Sequence, residues 1–370
     1  MSELRLERTR TSFMEKISSK DPLTQRGYVI GLNNFDNFCM EKFGKADYIS
    51  ELKKCNDDQI YDCLQALINW NNSLAPRTVT NYFSKVKKYL HYRGIKLHPQ
   101  DVKEELDFKS RIDEELYPLS IENIQAIFKA IPYNHKVALL CELSGLLRIG
   151  ETVQLRKRHL IISKENIIVK IPANIAKFKK GHTTFFSKEA SKLLRPILRR
   201  KEDNDLVFGT NENKTFAELN SEQTLRRTLR KIGLDMKYES TGRFMINTHS
   251  FRAYGITKIS RHDPNFAKKL AGQKGYLLQY DRMTDEEKPE LYQKLEIDLI
   301  IDTTEKQKAE IKKLENDKTK LESMNESNMK LMGKMRRMGH DTNLSTSDVT
   351  KIIYNELVKI KDEMKKEEND

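Results

Sequence analysis

Apolar residues recur at helical spacing through most of the chain. In TQRGYVIGLNNFDNFCMEKFG, Tyr28, Leu32, Phe35 and Phe38 share one face of a 3.6-residue period. DDQIYDCLQALINWNNSL repeats the pattern with Ile60, Cys63, Leu64, Leu67 and Ile68. In PRTVTNYFSKVKKYLHYRG, Pro76 can open a helix and Gly94 can end it. Its apolar face is Val79, Tyr82, Phe83, Val86 and Leu90, and Arg77, Lys85, Lys87, Lys88 and Arg93 lie elsewhere on it. Such a basic surface is either an ordinary solvated face or a set of phosphate contacts.

Residues 96–117 are charged and weakly periodic, as a linker with a short helix would be. Pro118 and Ser120 then precede LSIENIQAIFKAI. Ser120 suits an N-cap, but Asn123 stands where a full capping box has an acidic residue. HKVALLCELSGLLRIGETVQL reads as two helical pieces hinged near Gly145. HLIIS, NIIVKI and HTTFFS are β-branched and aromatic runs separated by turn residues, which predicts a small antiparallel sheet of three strands. Helical patterns resume at KEASKLLRPILRR, SEQTLRRTLRKIG and THSFRAYGITKIS, the last started by Thr248.

After Tyr280 the chain changes character, and EKQKAEIKKLENDKTKLESMNESNMKLMGKMRRM is charged and nearly free of Gly and Pro. Ile311, Leu314, Leu321, Met332 and Met335 keep a seven-residue register that Lys318, Asn325 and Asn328 interrupt. That is either a marginal coiled coil or a single solvated helix. KIIYNELVKIKDEMKKEEND reads as a further amphipathic helix with a disordered end.

Composition narrows the class. At 370 residues the chain is too long for one ordinary core. With 38% hydrophobic and 33% charged residues it has no apolar run long enough to span a membrane. The opening MSELRLERTRTSF lacks the apolar core of an export signal, so a cytoplasmic protein is expected. Cys39, Cys55, Cys63 and Cys141 have neither paired nor zinc-like spacing. A formal charge of +13 suits a polyanionic partner, nucleic acid foremost, or a merely lysine-rich soluble protein.

The candidate chemistry is scattered. Arg148 in LLRIGE is followed three residues later by Glu151, which could hold its guanidinium. His249 and Arg252 are three apart on one helix face, and imidazole can take a proton near neutral pH. Lys177, Lys179 and Lys180 crowd the turn between two strands, where an ammonium could protonate a departing oxygen. Two guanidiniums suit the non-bridging oxygens of a phosphodiester under attack. Tyr280 ends the stretch, and a phenol becomes a nucleophile only where cations favour its ionised form.

Taken in order, Arg148 in LLRIGE, the hairpin lysine, His249 and Arg252 in THSFR, AGQKG and Tyr280 resemble the tyrosine recombinases, or phage-type integrases. The resemblance runs over roughly residues 10–290, and the segment YDRMTDEEKPELYQKLEIDL looks most like archaeal and archaeal-virus integrases. It implies a mainly α fold with a small antiparallel sheet. Residues 1–95 would form a helical core-binding domain and 96–117 a linker. Residues 118–300 would form the catalytic domain and 301–370 a helical extension. It implies a site-specific recombinase that clamps double-stranded DNA between its domains, works as a tetramer on DNA in the cytoplasm, and needs no metal, ATP or other cofactor. By the same resemblance Arg148 and Arg252 would clamp the phosphate, with Glu151 as support. Lys177, or failing it Lys179, would be the general acid, His249 the proton-handling partner and Tyr280 the nucleophile. Arg77, Lys85, Lys87, Lys88, Lys179 and Lys180 would contact DNA.

Two departures stand out. SGLLRIGE has one leucine more before the arginine than the family pattern. The family's second His or Trp has no match, and Gln273, or Lys274 after a shift, occupies its place; Gln donates a hydrogen bond but carries no proton. Tyr276 and, more weakly, Tyr292 rival Tyr280, although YQKLEIDL reads as a helix face that packs. A type IB topoisomerase-like relaxing enzyme and a DNA-binding protein that has lost cleavage are the alternatives.

Overall fold

The computed structural model describes residues 8–111, 113–273, 283–284 and 287–339. The chain divides into two compact units. One comprises residues 1–116 with Lys237–Arg243, the other residues 117–236 and 244–370.

The first unit is helical: α1 (Arg10–Lys16), α2 (Pro22–Phe43), α3 (Ile49–Leu52), α4 (Asp57–Trp70), α5 (Pro76–Arg93) and α6 (Pro99–Glu104). The apolar spacing explains its core, where Leu32, Phe35, Phe38, Leu64, Val86 and Leu90 are buried. Asp21 caps α2 and Asn56 caps α4 through their side-chain oxygens, and Gly44 and Gly94 end α2 and α5 in the left-handed conformation. α6 lies inside the stretch read as a linker. Arg93, read as part of a basic surface, is tied to Asp47 at 3.2 Å and to the Tyr89 hydroxyl at 2.7 Å.

The second unit begins with α7 (Ile121–Ala130), α8 (Tyr133–Gly145) and α9 (Ile149–Thr152). Strands β1 (Leu160–Ile162), β2 (Ile167–Ile171) and β3 (His182–Phe186) follow as an antiparallel sheet in the order β1-β2-β3. Then come α10 (Lys188–Leu198), α11 (Lys214–Lys231), α12 (Thr248–Ser260), α13 (Pro264–Leu270), α14 (Glu287–Leu295) and α15 (Thr303–Gly339). The fold is therefore mainly α with one small antiparallel sheet.

Two caps differ from the sequence reading. Asn123 completes the box at α7, since its side-chain oxygen accepts from the Ser120 N–H while Ser120 Oγ accepts from its own; an amide oxygen serves where a carboxylate was looked for. Asn247, not Thr248, holds the N-cap position of α12, its backbone N–H donating to Ser250 Oγ at 3.1 Å, and the Thr248 hydroxyl donates instead to Glu222 at 2.7 Å.

α8 and α12 cross at the centre of this unit. A β-carbon on Gly255 would stand 2.2 Å from the Leu143 carbonyl oxygen, so only glycine permits this crossing. After α14, Leu299, Ile300 and Ile301 return to the core, and Glu189 accepts from the N–H groups of Ile301 and Asp302. α15 leaves the unit as one helix with Ile311, Leu314 and Leu321 exposed. The amphipathic pattern after residue 350 lies outside the described residues. No described helix is long and apolar enough to cross a membrane.

Candidate active site

The additional leucine in SGLLRIGE shapes the site. Leu146 takes a left-handed backbone (φ 53°) at the end of α8, and the Leu147 N–H donates back to the Glu142 carbonyl. This turn directs the Leu146 carbonyl at Arg252 on α12, whose Nη1 donates to it. Arg252 Nη2 donates to the Ala271 carbonyl at 2.8 Å. Arg148 Nη1 donates to the same carbonyl at 3.4 Å, across 123 residues of sequence.

Glu151 joins the two arginines. Its carboxylate accepts from the Arg148 backbone N–H at 2.9 Å and from the Arg148 guanidinium at 2.9 Å. It stands 3.8 Å from Arg252 Nη1 and accepts from the Lys177 backbone N–H at 3.5 Å. One buried carboxylate thus fixes both guanidiniums and the start of the lysine turn. Arg252 is 1% exposed, and burial lowers it to about 10, with Arg148 adding to the shift and Glu151 opposing it. Arg148 keeps 19% of its side chain open and packs over the Phe178 ring at 5.3 Å.

Lys177, Lys179 and Lys180 are exposed in the β2–β3 connection; Lys179 bonds the Asn174 carbonyl at 3.1 Å and takes a left-handed backbone. His249 is open to solvent as a residue. Its imidazole is nonetheless held below the usual histidine range, by partial burial first and then by Arg252, Arg148 and Lys177. The four groups therefore share one electrostatic neighbourhood. A neutral His249 can accept a proton, and protonation would remove that capacity. If His249 takes the proton of an attacking phenol, as the resemblance implies, strand cleavage is expected to hold down through the ordinary histidine range near 6.5 and to fall only below it. The pH–rate profile of the wild type against His249→Gln checks this, and a wild-type acid limb at or above 6.5 would contradict it.

Gln273 is half-buried beside the clamp, its N–H donating to the Lys268 carbonyl at 3.0 Å. Tyr276, Tyr280 and Lys274 lie outside the described residues. Tyr292 is fully buried on α14, its hydroxyl donating to the Ser144 carbonyl at 2.9 Å. Burial, then Glu296, raises its phenol well above the usual value, so it is core and no nucleophile.

In the first unit, Arg77 and Lys88 are exposed on α5, while Lys85 and Lys87 are half-buried. The stem of Lys85 lies across Gly31, and its ammonium sits 4.9 Å from the Tyr28 ring centre. Part of Lys85 is thus spent on packing α5 against α2.

Sequence reasoning missed two groups. Glu142, inside an apolar run, is buried with neither carboxyl oxygen hydrogen-bonded among the described residues, and burial raises its carboxyl well above the usual range. His182, at the start of β3, stands in the field of Glu151, Arg252 and Arg148. Only its nearness to the lysine turn could have pointed to it.

Residues 114–272 match the phage integrase family. No curated protein matches the chain in sequence. Among solved structures, the XerH site-specific recombinase bound to its difH substrate is similar at 16% identity and a TM-score of 0.50. The match covers 76% of this chain and 81% of that one. A lambda integrase dimer bound to a core site is similar at 12% identity and a TM-score of 0.53, over 74% of this chain and 97% of that one. The Tn1549 transposon integrase with a circular intermediate DNA gives 14% identity and a TM-score of 0.50, over 77% and 98%. The fold is that of the tyrosine recombinases, and the phage integrase match falls mostly within its second unit.

Proposed function

We propose that the chain is a site-specific DNA recombinase that cuts and rejoins strands through a 3′-phosphotyrosine. The observation that carries this reading is the pair of guanidiniums, Arg148 and Arg252, held on one carbonyl with Glu151 between them. Such a pair is preorganised for the charge that grows on a phosphodiester under attack. Lys177 and His249 stand in the same electrostatic neighbourhood.

In this reading the Tyr280 phenolic oxygen attacks the scissile phosphorus and its proton passes to His249. The bond to the 5′ oxygen breaks, and Lys177 protonates the departing alkoxide. The phosphotyrosine conserves the bond energy, so rejoining needs neither ATP nor metal. Arg77, Lys87, Lys88, Lys179 and Lys180 contribute phosphate contacts, and residues 1–95 act as the core-binding domain. The working assembly is a tetramer on two duplexes in the cytoplasm, nucleoid-associated when bound to DNA. YDRMTDEEKPELYQKLEIDL supports a place among archaeal and archaeal-virus integrases.

A duplex nicked beside the cleavage position traps the covalent complex. The wild type is expected to give a protein–DNA band on a denaturing gel, equally in EDTA. Tyr280→Phe is expected to abolish the band and Tyr276→Phe to keep it. Loss only with Tyr276→Phe would move the nucleophile. Salt-sensitive binding without any band would leave a protein that grips DNA but does not cut it. Relaxation of plasmid without site preference would indicate a topoisomerase-like enzyme.

A further inference from the structure

The catalytic reading leaves one imidazole without a task. His182 opens β3, paired with Ile171 across the hairpin that carries Lys177. Its ring lies beneath Gly272, one residue after the carbonyl that both arginines hold and one before Gln273. A β-carbon on Gly272 would come within 2.5 Å of its Cε1, 2.6 Å of Nδ1 and 2.9 Å of Nε2. Gly272 is also left-handed (φ 57°), so the turn and the ring fit each other closely. Both ring nitrogens are buried, and among the described residues neither makes a well-formed hydrogen bond; the nearest polar contact is the Lys180 backbone. Burying such poorly satisfied polar groups is costly, so folding alone does not account for an imidazole here.

We propose that His182 is a positioning residue of the phosphate clamp, bracing the Ala271–Gly272 turn from which Arg148 and Arg252 are both hung. This rests on the recombinase reading of the same site. The ring connects three parts: the strand end of the lysine hairpin, the turn that fixes the guanidiniums, and the backbone leading to Gln273. It does so without adding charge. Burial holds the imidazole below the ordinary histidine range; Glu151 and the Lys180 backbone pull the other way, and Arg252 and Arg148 reinforce burial. A neutral brace leaves the clamp's positive charge to the phosphate. In a chain whose Gln273 cannot carry a proton, correct aim of the two arginines matters more.

The test uses the full chain and the nicked duplex under single-turnover conditions, with DNA affinity and thermal denaturation measured beside the cleavage rate. His182→Ala is expected to slow covalent-complex formation by up to about 100-fold, the scale of an ångström-sized misplacement, while DNA affinity is retained. Gly272→Ala, which drives a methyl into the ring, is expected to be slow as well. The double variant is expected to cleave faster than Gly272→Ala alone, because removing the ring makes room for the methyl. A residue that only fills space would couple in melting temperature and not in the cleavage rate of the folded protein. Should His182→Ala fail to fold, His182→Gln keeps most of the volume and reads the same rate. Wild-type cleavage in these His182 variants, or a double variant no faster than Gly272→Ala, overturns the proposal. No covalent complex with the wild type would instead overturn the recombinase reading.

Discussion

Arg252→Lys is expected to lower the rate of covalent-complex formation by about 10²- to 10³-fold, the usual cost of losing one preorganised donor in an active site. Lysine keeps the charge but not the fork. Arg252 uses one terminal nitrogen on the Leu146 carbonyl and the other on the Ala271 carbonyl, with Glu151 3.8 Å away. A single ammonium cannot span both carbonyls, so one becomes a buried, unpaired acceptor. That should cost about 1–3 kcal/mol of stability. The loss in rate should therefore exceed what partial unfolding explains. Single-turnover cleavage, corrected by thermal denaturation of the same sample, separates the two. A lysine variant that cuts as fast as the wild type would remove Arg252 from the clamp.

The second large effect concerns Tyr292. Tyr292→Ala should cost about 3–5 kcal/mol, since it empties a fully buried aromatic site against Phe185, whose ring centre lies 5.1 Å away. Tyr292→Phe should cost about 1 kcal/mol, the net worth of the bond to the Ser144 carbonyl. The phenylalanine variant should still form the covalent complex at the wild-type rate. Calorimetry or chemical denaturation reads the first pair of values and the denaturing gel the last. Loss of the complex in Tyr292→Phe would return this tyrosine to the list of nucleophiles.

These residues also mark how far the sequence could be read. The helices and strands followed from period: Leu32, Phe35 and Phe38 recur at helical spacing, and Ile167, Val169 and Ile171 alternate inward. The packing of Tyr292 was legible for the same reason, as part of an apolar helix face. The contact of Glu151 with Arg148 was suggested by three-residue spacing on one turn. The carbonyl that joins Arg148 to Arg252 was not, because a backbone oxygen carries no residue signature. The left-handed turn at Leu146 was likewise hidden, since leucine there reads as one more core residue. His182 escaped because an isolated histidine in a polar hairpin looks like surface until the turn at Gly272 is laid over it. At α7 the amide of Asn123 closes a cap for which the spacing suggested an acid.

The long helix α15 has a consequence for distance. Its 37 residues, at about 1.5 Å each, make a rod about 55 Å long. Measured along B-DNA at about 3.4 Å per step, that is a reach of about 16 base pairs.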